Sequence, residues 1–220
     1  MNDLQEHKGS AGAKFVSFEG IDGCGKSTLM DRLADWLTEA GVPYVRVREP
    51  GGTAIGEKIR QILLDPASSD MTGRAEVLLY SASRAQLTWQ VIVPALERGE
   101  WVLADRFVDA TFAYQGFGRG FDPERLEMIQ RWATGGLWPD KTILLDCEVA
   151  LAMSRLGGRE GTDRDRIELE EEAFHRKVRS GYLALARKEP GRFLLLDASK
   201  PLEEVVEDFR RRFWLAEIGV

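Results

Sequence analysis

The segment from Gly20 to Ser27 has the residue types and the spacing of a phosphate-binding loop. It reads G-I-D-G-C-G-K-S and fits the pattern G-x-x-x-x-G-K-[ST], with an apolar run before it and a helical pattern after it. Glycines let such a loop curl with its backbone N–H groups pointing inward, where side chains would obstruct a phosphate. Lys26 would reach the β- and γ-phosphates, and the Ser27 hydroxyl would ligate Mg²⁺. The alternative, a glycine-rich turn with an incidental Lys-Ser pair, is disfavoured by the strand–loop–helix context.

The loop therefore predicts that the chain binds a nucleoside triphosphate, with the helix N-terminus adding its positive dipole end. The residues expected to contact that nucleotide in the loop are Gly20, Asp22, Gly23, Cys24, Gly25, Lys26, Ser27 and Thr28.

Three predicted strands end in an aspartate, namely Asp105, Asp146 and Asp197. The carboxyl ends of parallel strands face the crevice in which ligands bind, so each is a candidate for the acid that holds Mg²⁺. Asp105 is favoured because Arg106 follows it directly, which places a carboxylate for the metal beside a guanidinium for phosphate. For Asp146 and Asp197, a strand-end cap or a surface ion pair is an equally good interpretation.

A second segment rich in glycine and arginine, at about 157–166, is typical of a mobile lid. Glycines permit hinge motion, and several arginines suit a segment that closes on phosphates and excludes water. Phosphoryl transfer needs such cations around the equatorial oxygens. The alternative is a solvated loop whose arginines pair with Glu160, Asp163 and Asp165; the phosphate-binding loop favours the lid.

β and α patterns alternate along the chain, and this alternation determines where these groups lie. Predicted strands cover 14–19, 44–48, 101–104, 142–146 and 193–197. Predicted helices cover about 25–40, 54–64, 73–98, 107–116, 123–134, 149–156, 168–188 and 202–214, and Pro94 should kink or end the third. Short apolar strands separated by helices predict an α/β fold with a five-stranded parallel sheet in a three-layer α/β/α arrangement. We expect one domain over 14–220, and a disordered polar tail at 1–13.

The composition bounds the function further. A formal net charge of −6 argues against nucleic acid as a main partner, and no apolar run approaches the length of a membrane span. The start lacks the apolar region of a signal peptide. The two cysteines, Cys24 and Cys147, are too few for a disulfide framework or a typical zinc site and suit a reducing cytosol. The prediction is a cytoplasmic protein without nucleic-acid or membrane partners.

Missing motifs exclude two classes of nucleotide-binding protein. Asn2 is the only asparagine, so the chain has neither the Asn-Lys-x-Asp motif that reads guanine nor the H-R-D-x-x-x-x-N catalytic loop of protein kinases. A small phosphotransferase or a nucleotide-driven binding module remains.

Several segments together resemble the thymidylate kinase family, in its order and spacing. They are F-E-G-I-D-G-C-G-K-S-T at 18–28, R-E-P-G-G-T at 48–53, A-E-V-L-L-Y at 75–80 with Arg84, D-R-F at 105–107 and A-Y-Q-G at 113–116. The resemblance covers the chain from Lys14 to the C-terminal helix. It implies a P-loop NTPase fold, a homodimer, and Mg²⁺-assisted transfer of the γ-phosphoryl group of ATP to dTMP, giving ADP and dTDP.

The resemblance also implies which residues surround the phosphates and the sugar of the acceptor. Asp22 resembles the acidic residue near the acceptor sugar, and Tyr114 the one placed against the deoxyribose. Arg48, Arg60 and Arg106 resemble the arginines around the acceptor phosphate. Glu49 and Pro50 are also expected to contact the acceptor, with a cis peptide bond between them.

For the base, Tyr80 occupies the place of the aromatic that stacks on thymine, where the family often has phenylalanine. Arg84, Thr111 and Gln115 match positions that hydrogen-bond the base. The chemistry of these side chains supports the assigned roles. An aromatic ring can stack on a pyrimidine, and Arg with Gln can hydrogen-bond its carbonyls and N3–H. The alternative for Tyr80 and Arg84 taken alone is core packing plus a surface charge.

The loop interior contains no arginine, whereas the segment at 157–166 is arginine-rich, as in the bacterial form of the family that carries its basic residues in the lid. Arg159 is the first candidate for the catalytic lid arginine and Arg164 the second. The resemblance also implies nucleotide contacts near Arg155 and the turn at 197–199.

The predicted catalytic residues are Lys26, Asp105, Arg106 and Arg159, acting by in-line transfer without a covalent intermediate. A deoxynucleoside kinase is the closest alternative; it would need a base, which Glu19 or Glu49 could supply. Arginines at 48, 60 and 106 are better suited to an acceptor that already carries a phosphate. A non-catalytic, ATP-binding switch is the alternative from another class.

Overall fold

The structure is a computed structural model that describes residues 12–157 and 165–218. Its centre is a sheet of five parallel strands in the order β2-β3-β1-β4-β5. The strands are β1 (Phe15–Glu19), β2 (Tyr44–Arg48), β3 (Trp101–Asp105), β4 (Lys141–Asp146) and β5 (Phe193–Asp197). The predicted α/β fold with a five-stranded parallel sheet is confirmed.

Helices connect successive strands and cover the sheet. They are α1 (Lys26–Glu39), α2 (Ala54–Leu64), α3 (Gly73–Leu87), α4 (Val93–Glu97), α5 (Val108–Thr111), α6 (Pro123–Thr134), α7 (Val149–Gly157), α8 (Glu172–Lys188), α9 (Leu202–Phe209) and α10 (Leu215–Ile218). None of the helices in the described ranges combines the length and apolarity needed to cross a membrane.

The core lies on both faces of the sheet because successive strand side chains point to opposite sides. On β3, Trp101 and Leu103 pack into one cluster with α1 and α9, whereas Val102 and Ala104 pack into the other with the segment around Leu87 and Ile92. A parallel sheet that is buried on both faces explains why the strands are nearly continuous apolar runs.

The strand register brings the two strongest motifs together. Phe18 pairs with Asp105, and the backbone N–H of Arg106 donates to the Phe18 carbonyl at 3.1 Å. Arg48 also pairs with Asp105, so the ends of β1, β2 and β3 lie in one row. The phosphate-binding loop and the Asp-Arg pair are therefore neighbours at the carboxyl edge of the sheet.

The third predicted helix does not stop at Pro94. A π-helical turn over Thr88–Ile92 follows α3, and α4 continues to Glu97 with Pro94 in its first turn. A wider turn accommodates the ring, which would otherwise clash with the carbonyl four residues earlier. The predicted helix at 107–116 likewise divides into α5 and a π-helical turn over Phe112–Gly118.

The helix predicted from residue 168 begins four residues later, at Glu172. The Asp165 side chain accepts the backbone N–H groups of Ile167 and Glu168, both at 2.9 Å, and holds a turn there instead. This turn is docked on α2, because the Arg166 N–H donates to the Leu64 carbonyl.

The expected division of the chain stays a prediction, since much of it concerns residues outside the described ranges. Most of the predicted lid lies at 158–164 and most of the predicted tail at 1–11, both outside those ranges. Within the expected tail, Gly12 contacts the core, because its carbonyl accepts the Trp101 Nε1–H at 2.9 Å.

Candidate active site

The phosphate-binding loop connects β1 to α1, and two of its glycines have backbones that side chains would strain. Gly20 has a φ of 136° and Gly23 a φ of 86°, and a Cβ on either would collide with a backbone carbonyl of the neighbouring segment. Lys26, in the first turn of α1, is buried and curls back, so that Nζ donates to the carbonyls of Gly20 and Ile21 at 3.3 and 3.2 Å. The lysine is thereby held over the loop.

Arg106 crosses from the end of β3 to the same loop. Its Nη1 donates to the Gly20 carbonyl at 2.9 Å and its Nη2 to Asp22 Oδ1 at 2.6 Å. Arg106 also has a φ of 70°, a left-handed conformation that costs a non-glycine residue about 1–2 kcal/mol. Strain of this kind concentrates at functional sites.

Asp22 lies between two cations. Its Oδ1 accepts Arg106 and also lies 3.5 Å from Lys26 Nζ. Burial by itself would raise the pKa of Asp22, but the charges of Arg106 and Lys26 outweigh it and hold that pKa well below its usual range. The Tyr114 hydroxyl lies 3.5 Å from Asp22 Oδ2, and its ring lies beneath the Arg106 guanidinium at 5.0 Å. The sequence predicted all four of these residues, and the fold brings them together.

A polar cleft opens beside the loop, and we call it the loop cleft. Its lining includes Lys26, Ser27, Arg48, Arg60, Asp105 and Arg106. Burial, with the neighbouring Arg48 charge adding to it, lowers the pKa of Arg60. Guanidinium groups that repel one another around a cleft are stabilised when an anion binds between them.

The loop cleft adjoins a second cleft, which we call the deep cleft. Its lining includes Glu49, Pro50, Tyr80, Arg84, Thr111, Tyr114 and Gln115. Asp22, Arg60 and Arg106 line both clefts. The peptide bond between Glu49 and Pro50 is cis, which confirms the expectation. A ligand can therefore place an anionic end among the arginines and a planar end in the deep cleft.

Arg84 is the most buried charged group of the deep cleft, with 1% of its side chain exposed. Its guanidinium donates to Glu49 through Nε and Nη2, to Thr111 and Gln130 through Nη1, and to the Phe107 carbonyl through Nη2. All five N–H groups thus have protein acceptors. Arg84 can contact a base only by sharing or exchanging one of these bonds.

A third cleft lies on the other side of the phosphate-binding loop. Gly25, Thr28, Arg155, Ala198 and Lys200 are among its lining residues. Arg155 donates to the Ala198 carbonyl at 2.9 Å, so Arg155 lies next to the turn at 197–199. We call this third cleft the outer cleft.

Comparison with known proteins identifies the family. The family model described as "Thymidylate kinase" matches residues 18–209. A thymidylate kinase of Symbiobacterium thermophilum is 49% identical over 197 residues, covering 90% of this chain and 91% of that protein. Those of Desulfovibrio desulfuricans and Geotalea uraniireducens are 49% and 48% identical, over 87% and 86% of this chain and 91% of each relative. The chain belongs to the thymidylate kinase family.

In this thymidylate kinase family member the other two strand-end aspartates are structural. Asp146 forms a bidentate ion pair with Arg179, at 2.7 and 3.0 Å. Asp197 caps the turn that follows β5 by accepting the N–H and the hydroxyl of Ser199. The interpretation left open beside a functional one, a strand-end cap or an ion pair, thus describes the contacts of both: an ion pair for Asp146 and a cap for Asp197.

The lid arginines cannot be placed in the same way, because Arg159 and Arg164 lie outside the described residues. Arg166, at the end of the predicted lid, is buried: its Nε donates to the Leu63 carbonyl at 2.8 Å and its Nη2 lies 2.7 Å from Glu76 Oε2. Arg166 is thus fixed to the body of the domain.

Two groups of the site, Tyr182 and Glu76, have no role in the sequence analysis, whereas Glu19 is named there only as a possible base. The Tyr182 hydroxyl, from α8, donates to Glu19 Oε2 at 2.7 Å and accepts from Arg106, and Glu19 Oε1 accepts the Phe107 N–H. Burial raises the pKa of Glu19 to about 8, with the Asp109 charge adding to the effect. Glu76, buried in α3, is the second group, and it holds Gln115. Neither partnership has a sequence signal, since each joins segments far apart in the chain.

Proposed function

We propose that the chain transfers the γ-phosphoryl group of ATP to dTMP, giving ADP and dTDP, and so serves dTTP synthesis. The observation that carries this proposal is the continuity of the loop cleft with the deep cleft. Arg48, Arg60 and Arg106 surround a position for an acceptor that already carries a phosphate, and a buried pocket for a base lies beyond them. Membership of the thymidylate kinase family supports the assignment of thymine as that base.

Catalysis by this site is electrostatic. An oxygen of the acceptor phosphate is already anionic and attacks in line without a side-chain base, so the protein has to position two anions and offset their charge. Lys26 and Arg106 supply fixed positive charge where it accumulates on the transferred group. In the described conformation both interact with Asp22, which keeps these two cations close together until phosphates replace the carboxylate as their partner.

The residues at the edge of the loop fit Mg²⁺. Asp105 and Ser27 both line the loop cleft and offer the oxygen ligands that this ion prefers. Within the described residues the Asp105 carboxylate forms no hydrogen bond or ion pair, which leaves it available as a ligand. Bound Mg²⁺ would offset phosphate charge.

The acceptor is recognised by the deep cleft. Tyr80 provides the stacking platform, Thr111, Gln115 and Arg84 the polar edge for the base, and Tyr114 and Asp22 the contacts with the deoxyribose. Glu49 and Pro50 form the wall next to the phosphate. The Glu49 Oε1 atom is buried without a hydrogen-bond partner in the described structure, which suits an acceptor for a ligand hydroxyl.

The donor occupies the phosphate-binding loop and the outer cleft, with Arg155 near the adenine. Arg159 closes over the phosphates as the catalytic lid arginine, and Arg164 is the second candidate. The arginine-free loop interior supports this arrangement, because the loop offers Lys26 as its only cation.

We also propose a homodimer formed through α2, α3 and α6. α3 packs against both other helices, so the three form one layer on the sheet. Large apolar side chains on this layer are exposed to solvent: Ile55, Ile62, Leu78, Met128 and Trp132. A second copy of the chain that covered these side chains would remove their apolar surface from water. Location in the cytoplasm accords with two unpaired cysteines.

A coupled assay of ADP release tests the function, with dTMP, thymidine, dUMP and dCMP compared in parallel at saturating ATP. We expect the highest kcat/KM with dTMP. A faster reaction with thymidine would establish a deoxynucleoside kinase. Nucleotide binding without any acceptor-dependent ADP release would establish a switch module. Membership of the thymidylate kinase family weighs against both alternatives.

A further inference from the structure

Glu76 lies directly behind the predicted base edge of the deep cleft. Its side chain is 1% exposed, and its Oε1 accepts the Gln115 Nε2–H at 2.9 Å. Gln115 is also buried, at 2% exposure, and lines the deep cleft from the π-helical turn at Phe112–Gly118. No hydrogen bond within the described ranges uses the amide oxygen of Gln115. One end of the amide is thus fixed and the other is available to a ligand.

The charge around Glu76 determines which end of the amide it binds. Arg119 donates to both carboxylate oxygens, at 3.3 and 3.1 Å, and Arg166 Nη2 lies 2.7 Å from Oε2. Although burial opposes it, these arginines and the Gln115 bond lower the pKa of Glu76. An ionised carboxylate can only accept hydrogen bonds, so Gln115 must turn its NH₂ group toward it.

We propose that Glu76 is a positioning residue that selects the base: it presents the carbonyl oxygen of Gln115 to the deep cleft as an acceptor. This inference rests on the proposed function. An imide base such as thymine has an N3–H donor for that oxygen, whereas cytosine has a lone pair at N3 and would face it acceptor to acceptor. Buried polar groups left unpaired are what makes such discrimination strong.

Glu76→Gln tests the proposal, because it keeps the shape of the side chain but can both donate and accept. The Gln115 amide can then turn over and offer its NH₂ group to N3 of cytosine. We expect kcat/KM for dTMP to fall about 10-fold, mainly through KM, and the ratio of kcat/KM for dCMP to that for dTMP to rise at least about 10-fold. A ratio within twofold of that of the unaltered chain would overturn the inference.

Arg119→Met is the matched control, since it removes an ion pair from the same cluster but keeps the Glu76 carboxylate beside Gln115 and Arg166. We expect a lower melting temperature and an unchanged dCMP to dTMP ratio. A ratio that rises as much as in Glu76→Gln would mean that the cluster acts only through stability, and would refute the inference. Gln115→Leu completes the comparison: in that background the further change Glu76→Gln should no longer move the ratio, and a persistent shift would contradict the proposal.

Circular dichroism melting establishes that each variant is folded at the assay temperature. If Glu76→Gln melts below it, the other two variants decide: an unchanged ratio in Arg119→Met with a raised ratio in Gln115→Leu supports the inference, and any other pair of results overturns it. Absence of dTMP turnover in the unaltered chain would refute the proposed function itself, which is a separate outcome.

Discussion

Arg106 and Asp22 form an ion pair of 2.6 Å at the point where the two clefts meet, and Arg106 adopts a left-handed backbone to make it. The pair joins the end of β3 to the phosphate-binding loop, so that a guanidinium from one motif and the lysine of the other share the Asp22 carboxylate. Asp22 thereby holds in place the cations that phosphates need.

Arg106→Ala should lower kcat/KM for dTMP by at least about 10³-fold, because the guanidinium offsets charge on the transferring group. Lys26→Ala should have an effect of the same order. Both variants should remain folded, as measured by urea unfolding, since their partners are backbone carbonyls, the Tyr182 hydroxyl and a carboxylate that is 31% exposed. Near-normal turnover in either variant, measured by ADP release, would refute the mechanism.

Arg159→Ala should lower kcat by at least about 10²-fold while changing KM for dTMP less than tenfold, because a lid arginine acts mainly on the transition state. Arg164→Ala, in the same segment, is the control and should retain most of its activity. Single-turnover kinetics separates the chemical step from product release. The reverse ranking of the two variants would assign the role to Arg164.

Arg84→Met should destabilise the fold by about 3–5 kcal/mol, because it leaves Glu49 as an unpaired charge in a buried site. The pair is 2.5 Å long and its side chains are 1% and 3% exposed. Arg46 and Asp31 provide a matched comparison at the same distance, with side chains 42% and 55% exposed. Arg46→Met should cost less than about 1 kcal/mol. If urea denaturation showed the same loss of unfolding free energy in Arg84→Met and Arg46→Met, burial would not determine the contribution of Arg84.

Glu19→Gln should make stability less dependent on pH. The pKa of Glu19 is about 8 in the folded chain against an ordinary value of 4.5, so between these values the folded state retains a proton that the unfolded state has released. The free energy of unfolding therefore falls as pH rises through this window. From pH 5 to pH 8 the free energy of unfolding should fall by about 3–4 kcal/mol more in the unaltered chain than in the variant, measured by urea denaturation. Parallel pH profiles would contradict the raised pKa.

Trp132→Glu should convert the proposed dimer into monomers, since this indole is 85% exposed on α6 and a charge there could not be buried against a second copy. Leu215→Glu, at an exposed position on α10, is the control and should leave the mass unchanged. Light scattering after size-exclusion chromatography gives the mass. A monomeric unaltered chain would refute the homodimer.

The sequence by itself determined the parallel α/β fold, the phosphate-binding loop and the Asp105–Arg106 pair. These features are local: glycine spacing, apolar runs and a strand end each act through the backbone of a few adjacent residues. Their mutual placement followed too, because parallel strands align their carboxyl ends at one edge of the sheet.

Only the tertiary structure decided which buried polar groups meet. Glu19 and Tyr182 are 163 residues apart, Arg84 and Gln130 are 46 apart, and Glu76 binds Gln115 across 39 residues. No spacing rule in the sequence connects any of these residues to its partner. Burial makes each partnership obligatory, since an unpaired polar group in the core is costly. Which partner is within reach is determined by the packing of α3, α8 and the π-helical turn at Phe112–Gly118.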